Sequence, residues 1–316
     1  MQRRIAKSVL LLFFLFNAVV AASSLSSDLR LIQMVPPKSQ IIASMLSPTP
    51  EGQPRSFLLI TVNNKIDIED FYALTGADAS RRIRQVVFVA ATGSDGTLSE
   101  HSLLVSGHFN RDAIFRFAEG GSARTDSYRG EAVLIVPPFE RERSRFKHLR
   151  WLAILNSDIA IFGTQESVQQ ELDRQIASSR PDAKLMDRLS RLGPRDETWC
   201  LLPAPSVNGA VASLLEKLDP KIAAVAREGG SMQYGVHFAR RVEITASSNI
   251  AARESSASDT DQSASHSTPA HYLLDDSLGG RDDGKTAVVK ISRRRYQEWL
   301  DKFSKDNLTI AETLLH

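Results

Sequence analysis

The amino-acid sequence predicts an α+β protein with antiparallel sheets, helices packed on one face, and two related lobes. Three observations indicate this class. Strand-like segments come in neighbouring pairs instead of alternating singly with helices, which is typical of antiparallel sheets. The helical segments follow these pairs and begin at capping residues. The composition, 42% hydrophobic and 24% charged, is typical of a globular protein.

The N-terminal residues predict a secretion signal over 1–22. A cationic start within residues 3–7 precedes an apolar run over 9–20, and small residues at 20–22 fit a cleavage site. The apolar run is shorter than the ~20 residues of a spanning helix. The uncharged stretch continues to Ser27, so an uncleaved membrane anchor stays open as the alternative. We therefore expect an exported protein, periplasmic or secreted.

Net charge and cysteine usage argue against a nucleic-acid-binding protein and against a fold stabilised by disulfides. The whole chain carries +2, and the leader holds three positive charges and no negative one, so the mature chain carries 2 − 3 = −1. Such a chain lacks the basic surface of a nucleic-acid binder. Cys200 is the only cysteine, so no internal disulfide forms. It lies in an apolar run and is predicted to be a buried small hydrophobic residue.

The first half of the mature chain is predicted as an irregular segment and a lobe. Prolines between positions 36 and 54 indicate an irregular N-terminal segment over 23–56, with a short element at 29–35. The first α+β lobe spans 57–195. Its predicted strands are 57–62, closed by a turn at Asn63-Asn64, and 84–91, 100–109, 131–136, 151–155 and 159–162.

Three helices of the first lobe begin at polar residues. Asp67, Asn110 and Thr164 precede them, as capping residues do. The spacing places Ala113, Ile114, Phe117 and Ala118 on one face of the second helix, and Val168, Leu172 and Ile176 on one face of the third. A fourth helix follows Pro181, with Leu185, Met186, Leu189 and Leu192 directed inward.

The second α+β lobe is predicted over 196–316. A strand at 198–202 precedes a helix over 207–218, and alternating segments around 232–246 form an antiparallel pair with one face in water. Residues 247–284 are rich in Ser, Asp and Gly and predict a flexible loop. A strand at 286–291 and a helix capped by Ser292 close the chain, the helix carrying Tyr296, Trp299, Leu300 and Phe303 at helical spacing.

Two short motifs suggest chemistry that their surroundings exclude. Gly279–Thr286 fits the phosphate-loop string G-x-x-x-x-G-K-T, but a strand instead of a helix is predicted after it. Ser144–Lys147 fits S-x-x-K of penicillin-recognising enzymes, whose S-D-N and K-T-G elements are missing from the sequence. The seven histidines show no helical i, i+4 pair, so no metal site is predicted. The sequence thus offers no catalytic, cofactor-binding or metal-ligating residues.

A series of turn and cap motifs resembles a family of uncharacterised exported or membrane-anchored bacterial proteins. The series consists of Ser106–Phe109 before a helix, Tyr128-Arg129-Gly130 before a strand, and the hairpin at 152–162 followed by Gly163-Thr164 and a helix. The likeness is firmest over residues 86–176. It implies an exported α+β protein with no assigned activity, and it supplies no site residues.

Together these observations favour a non-enzymatic binding or scaffolding protein of the cell envelope, whose partner is an envelope protein or a glycan. The alternative is a hydrolase or ligand-binding enzyme whose site forms only in three dimensions. That alternative predicts a concave pocket with convergent polar groups of perturbed pKa. Membrane association is expected only if the leader is uncleaved.

Overall fold

The structure is a computed structural model that describes residues 27–46, 62–75, 82–92, 98–137, 149–193, 195–202, 215–227, 231–249 and 285–299. Its helices are α1 (Leu29–Met34), α2 (Val62–Thr75), α3 (Arg111–Glu119), α4 (Gln165–Ile176), α5 (Ala183–Ser190) and α6 (Pro220–Ala226). Its strands are β1 (Ile41–Leu46), β2 (Gln85–Thr92), β3 (Leu98–Ser106), β4 (Arg124–Tyr128), β5 (Glu131–Val136), β6 (Arg150–Leu155), β7 (Ile159–Gly163), β8 (Thr198–Leu202), β9 (Ser231–Phe238), β10 (Val242–Asn249) and β11 (Thr286–Ile291). Residues 215–218 and 293–299 are also helical.

All eleven strands belong to one antiparallel sheet, so the predicted α+β class is confirmed. Their order across the sheet is β11-β10-β9-β8-β1-β2-β3-β7-β6-β5-β4. The boundary predicted at residue 195 falls between α5 and β8. The strands of the two predicted lobes are continuous through β1, which pairs with β2 on one side and β8 on the other.

Helices cover both faces of this sheet, whereas the sequence predicted one covered face. Side chains on one face pack against α2, α3, α6 and helical residues 293–299. The opposite face packs against α1, α4 and α5. Strands β6 and β7 are buried at every position. A strand that is covered on both faces has an unbroken apolar run in its sequence. That run over 151–155 and 159–162 was therefore the sequence signal for a second helical layer.

At β10 the sheet is buried on one face only. Val242, Ile244 and Ala246 are buried against the helices, while Glu243, Thr245 and Ser247, which alternate with them, are half-exposed. The alternation thus predicted the antiparallel pairing and the half-exposed face of β10, whereas its partner β9 is buried on both faces from Met232 to Val236.

Local signals place most elements where they were expected. The β6–β7 hairpin turns at Asn156 and Ser157, whose φ values of 47° and 57° suit the right-handed twist of the strands. Asn110 Oδ1 accepts a hydrogen bond from the Ala113 N–H at 3.1 Å. Ser292 Oγ accepts from the Arg295 N–H at 3.2 Å. These side chains satisfy backbone donors at the helix starts, as capping predicts.

Several expectations differ from the structure. Asn63 and Asn64 lie within α2 instead of forming a turn, and residues 57–61 lie outside the described residues. In its described part, 27–46, the N-terminal segment contains the short element expected at 29–35, which is α1, and also the strand β1, which was not expected. The helix predicted to end at residue 218 does end there in its described part, 215–218, and Pro220 begins the next helix, α6, in whose first turn its missing N–H is tolerated. Residues 250–284, most of the expected flexible loop, are likewise not among those described.

Candidate functional site

A groove opens between α2, the end of α3 and the end of β5. Its volume is about 840 Å³, within the range of ligand-binding clefts. The lining residues are small or apolar apart from one hydroxyl: Ala73, Leu74, Phe117, Ala118, Gly120, Gly121, Ser122, Ala123, Val136 and Pro137. None of these described residues is ionisable, so the part of the lining that they form favours an apolar occupant.

Helix α3 forms one wall of the groove. Ile114, Phe115 and Ala118 are buried in the core, whereas Phe117 is 65% exposed. The sequence placed Phe117 on the core face and left out Phe115, so this face assignment was wrong. Phe115 occupies the core position that Phe117 was expected to fill, so the Phe117 ring points to solvent beside the groove. An exposed phenyl ring next to an apolar groove is typical of a binding surface.

The most perturbed carboxyl group of the described residues belongs to α4. Glu171 is fully buried, and its Oε1 accepts a short hydrogen bond from the Ser102 hydroxyl on β3. Its Oε2 has no hydrogen-bond partner in the described part of the chain. Burial raises the pKa of Glu171 to about 8, an effect that the Ser102 hydrogen bond opposes. The group is therefore protonated at neutral pH.

Glu171 lines a cleft between α4, the ends of β2 and β3, and the connection from α1 to β1. Ser167 is 6% exposed there, and Gln170 Nε2 donates to Glu100 Oε2 at 3.1 Å at the rim. The space amounts to about 10 Å³, which holds a single water-sized particle. An organic substrate does not fit, so a perturbed pKa is present here without a substrate pocket.

A second polar cluster joins the turn before β8 to β9. Asp196 is 4% exposed, and its Oδ2 accepts from the Gly193 N–H at 2.7 Å. The carboxylate lies directly over Gly235, where any Cβ would overlap it. Burial raises the pKa of Asp196 to about 6, and the Gly193 hydrogen bond opposes this. The arrangement fixes the turn on the sheet through a close approach that only glycine permits.

His237 lies beside this turn with its ring orientation fixed. Its Nδ1 is 3.1 Å from Glu197 Oε2 and 2.9 Å from the Arg195 carbonyl oxygen. Both neighbours are acceptors, so Nδ1 is the ring nitrogen that donates to them. The sequence predicted His237 to point to solvent; its side chain is 26% exposed.

The remaining residues that the sequence singled out have structural positions. Cys200 is buried, as predicted, and burial raises its thiol pKa to about 12. His101 is buried within β3, whereas His108 is exposed beyond the end of that strand. Thr286 begins β11, so the strand predicted after the phosphate-loop string is observed, while 279–284 and Ser144–Lys147 are outside the described residues.

Sequence reasoning missed Glu171 and Phe117. A signal for Glu171 existed, because it lies three residues after Val168 and one before Leu172, on the predicted buried face of α4. Among the residues described, no group of three or more His, Cys, Asp or Glu side chains is arranged to hold a metal ion. Within the same ranges, no helix combines the length and apolar character needed to span a bilayer.

Neither a protein-family model nor a curated protein sequence matches this chain. Among solved structures, the chain is similar to TP0453, a bacterial protein known from a crystal form I. The two share 11% sequence identity, with a TM-score of 0.45. The match covers 86% of this chain and 96% of TP0453.

Proposed function

We propose that this chain is an exported, non-enzymatic binding protein of the bacterial cell envelope, and that the groove beside Phe117 receives an apolar segment of a partner protein. The observation that carries the proposal is the 65% exposure of Phe117 next to a groove of about 840 Å³ whose described lining residues are small or apolar apart from Ser122. Apolar area removed from water at such a groove favours association, by roughly 25 cal/mol per Å².

The chemistry of the groove favours a protein over a glycan as the partner. Sugars are recognised through many hydrogen bonds, and among the described lining residues Ser122 alone contributes a side-chain hydroxyl. Apolar and aromatic contacts, by contrast, form the centres of protein interfaces. The alternative of a hydrolase is less well supported, because the strongly perturbed Glu171 lies in a space of about 10 Å³.

Site-specific photo-crosslinking in intact cells tests the groove. A photoreactive amino acid at position 117 is expected to form one discrete adduct with an envelope protein. The matched control is position 288, because Val288 is 50% exposed on β11 at the opposite edge of the sheet. Equal adducts at both positions, or none at 117, would contradict the proposed binding site. Phe117→Ala is expected to weaken co-purification of the same partner.

Export is tested separately. The cationic start and apolar run over residues 1–22 support removal of this leader during secretion. We expect N-terminal sequencing of the exported protein to begin near Ser23. A chain that keeps residues 1–22 in the membrane fraction would favour the anchored form, and an unprocessed chain in the cytosol would overturn the proposal.

A further inference from the structure

The carboxyl group of Glu171 has an unused oxygen inside the protein. Its side chain is fully buried, Oε1 accepts from Ser102, and Oε2 has no partner among the described residues. A buried polar atom without a partner is unfavourable, and native proteins satisfy such atoms with water, an ion or a ligand. Because Glu171 lines the cleft, a particle held there can satisfy this oxygen.

The walls of the cleft supply further oxygen atoms. Ser167 Oγ accepts from Thr164 Oγ1 at 3.0 Å, which leaves a lone pair available. The half-exposed carboxylate of Glu100 lines the same space. The part contributed by β2 is Val89, Ala90 and Ala91, and thus brings no titratable side chain.

Size and charge determine which occupant fits. The space of about 10 Å³ accepts one water-sized particle and excludes organic molecules. Two carboxyl groups face it, against one exposed ammonium group, Lys38. A divalent ion such as Ca²⁺ is ordinarily held by several carboxylates, and no group of three or more occurs among the residues described, so the charge at this cleft suits a monovalent ion better.

We propose that the Glu171 cleft binds one monovalent cation of the size of Na⁺ or K⁺, with Glu171, Ser167 and Glu100 as ligands. This site is separate from the groove at Phe117, and neither proposal depends on the other. Cation binding ionises Glu171 and releases its proton, so protons and cations compete. The affinity is therefore expected to rise with pH. Glu100 and Lys38 are the other titratable groups that face the cleft.

Thermal unfolding tests the proposal on the full chain. NaCl or KCl is compared with choline chloride at equal ionic strength, because choline is too large for the cleft. We expect Na⁺ or K⁺ to raise the unfolding midpoint at pH 8.5 and to have a much smaller effect at pH 6. Glu171→Gln should abolish the specific rise, whereas Glu166→Gln, an exposed residue on the same helix, should keep it.

Identical midpoints in NaCl, KCl and choline chloride at pH 8.5 would overturn the proposal and leave a proton or a water molecule as the occupant. A cation effect that persists in Glu171→Gln would overturn it as well. If that variant does not fold, Ser167→Ala provides the second test, and it should weaken the cation effect. A crystal soaked in Rb⁺ should show an anomalous peak at the cleft, and a peak only elsewhere would count against this site.

Discussion

Glu171 couples the stability of the protein to pH through its burial. Its pKa of about 8 in the folded protein exceeds the ordinary value of 4.5. A raised pKa means that the folded state holds the proton more tightly than the unfolded state does. The contribution of Glu171 to stability is therefore fully present below pH 4.5 and is lost as the pH rises through 8.

This coupling predicts the behaviour of Glu171→Gln. The amide mimics the protonated carboxyl group and does not titrate. The free energy of unfolding of the variant, minus that of wild type, should therefore increase as the pH rises. The gain should be about 1.4 kcal/mol per pH unit between pH 5 and 8. Urea unfolding in choline chloride measures it without small cations. Glu166→Gln should follow wild type, and parallel curves for wild type and Glu171→Gln would contradict the assignment.

The turn between β4 and β5 is joined to helix α4. Arg129 and Gly130 adopt φ values of 50° and 89°, the pattern of a two-residue hairpin turn. The Tyr128 hydroxyl donates to Asp173 of α4 at 3.2 Å, and Arg129 Nε lies 2.7 Å from the same carboxylate. Strand β4 is an exposed edge strand, so these contacts are an important tertiary anchor for it.

Asp173→Ala should therefore destabilise β4 locally more than it lowers the stability of the whole protein. We expect faster amide hydrogen exchange in β4 and β5, with only a small loss of global stability because the Arg129 pair is exposed. Asp187→Ala removes another exposed ion pair, with Arg191 on α5, and serves as the control. Exchange in β4 that stays unchanged in Asp173→Ala would show that the anchor lies elsewhere.

Helices and strands whose position depends on neighbouring residues were predictable from the sequence. Those whose position depends on partners far along the chain were not. The β6–β7 hairpin and the helix starts at Asn110 and Ser292 depend on local turns and caps, so the sequence located them. Strand β4 was missed because its five residues are polar and largely exposed. Strand β1 was missed because prolines precede it and because one of its partners, β8, lies far along the chain.

The candidate sites show the same division. The lone charged residue Glu171 on an apolar helix face was visible in the sequence, but the burial that shifts its pKa depends on β3 and on the loop before β1. The groove at Phe117 requires α2, α3 and β5 together, elements whose packing no local spacing encodes.

At the scale of the molecule, the continuous sheet predicts that both halves unfold together. Trp151 lies in β6, and Trp299 lies in the terminal helical segment that packs behind the other half of the sheet. Variants in which Trp199 and one of these two tryptophans are replaced, so that a single tryptophan remains, should give coincident urea transitions by fluorescence. Two separated transitions would show instead that the lobes predicted from the sequence unfold independently.

The central place of β1 has a consequence for biogenesis. Ile42 pairs with Val89 on one side but with Leu201 on the other, so the second edge of β1 stays open until the chain has been made as far as β8. During that interval the nascent protein presents unpaired backbone groups that attract other chains. Translation products that stop before residue 198 should consequently self-associate, and a holdase that shields nascent strands should increase the yield of the full-length protein.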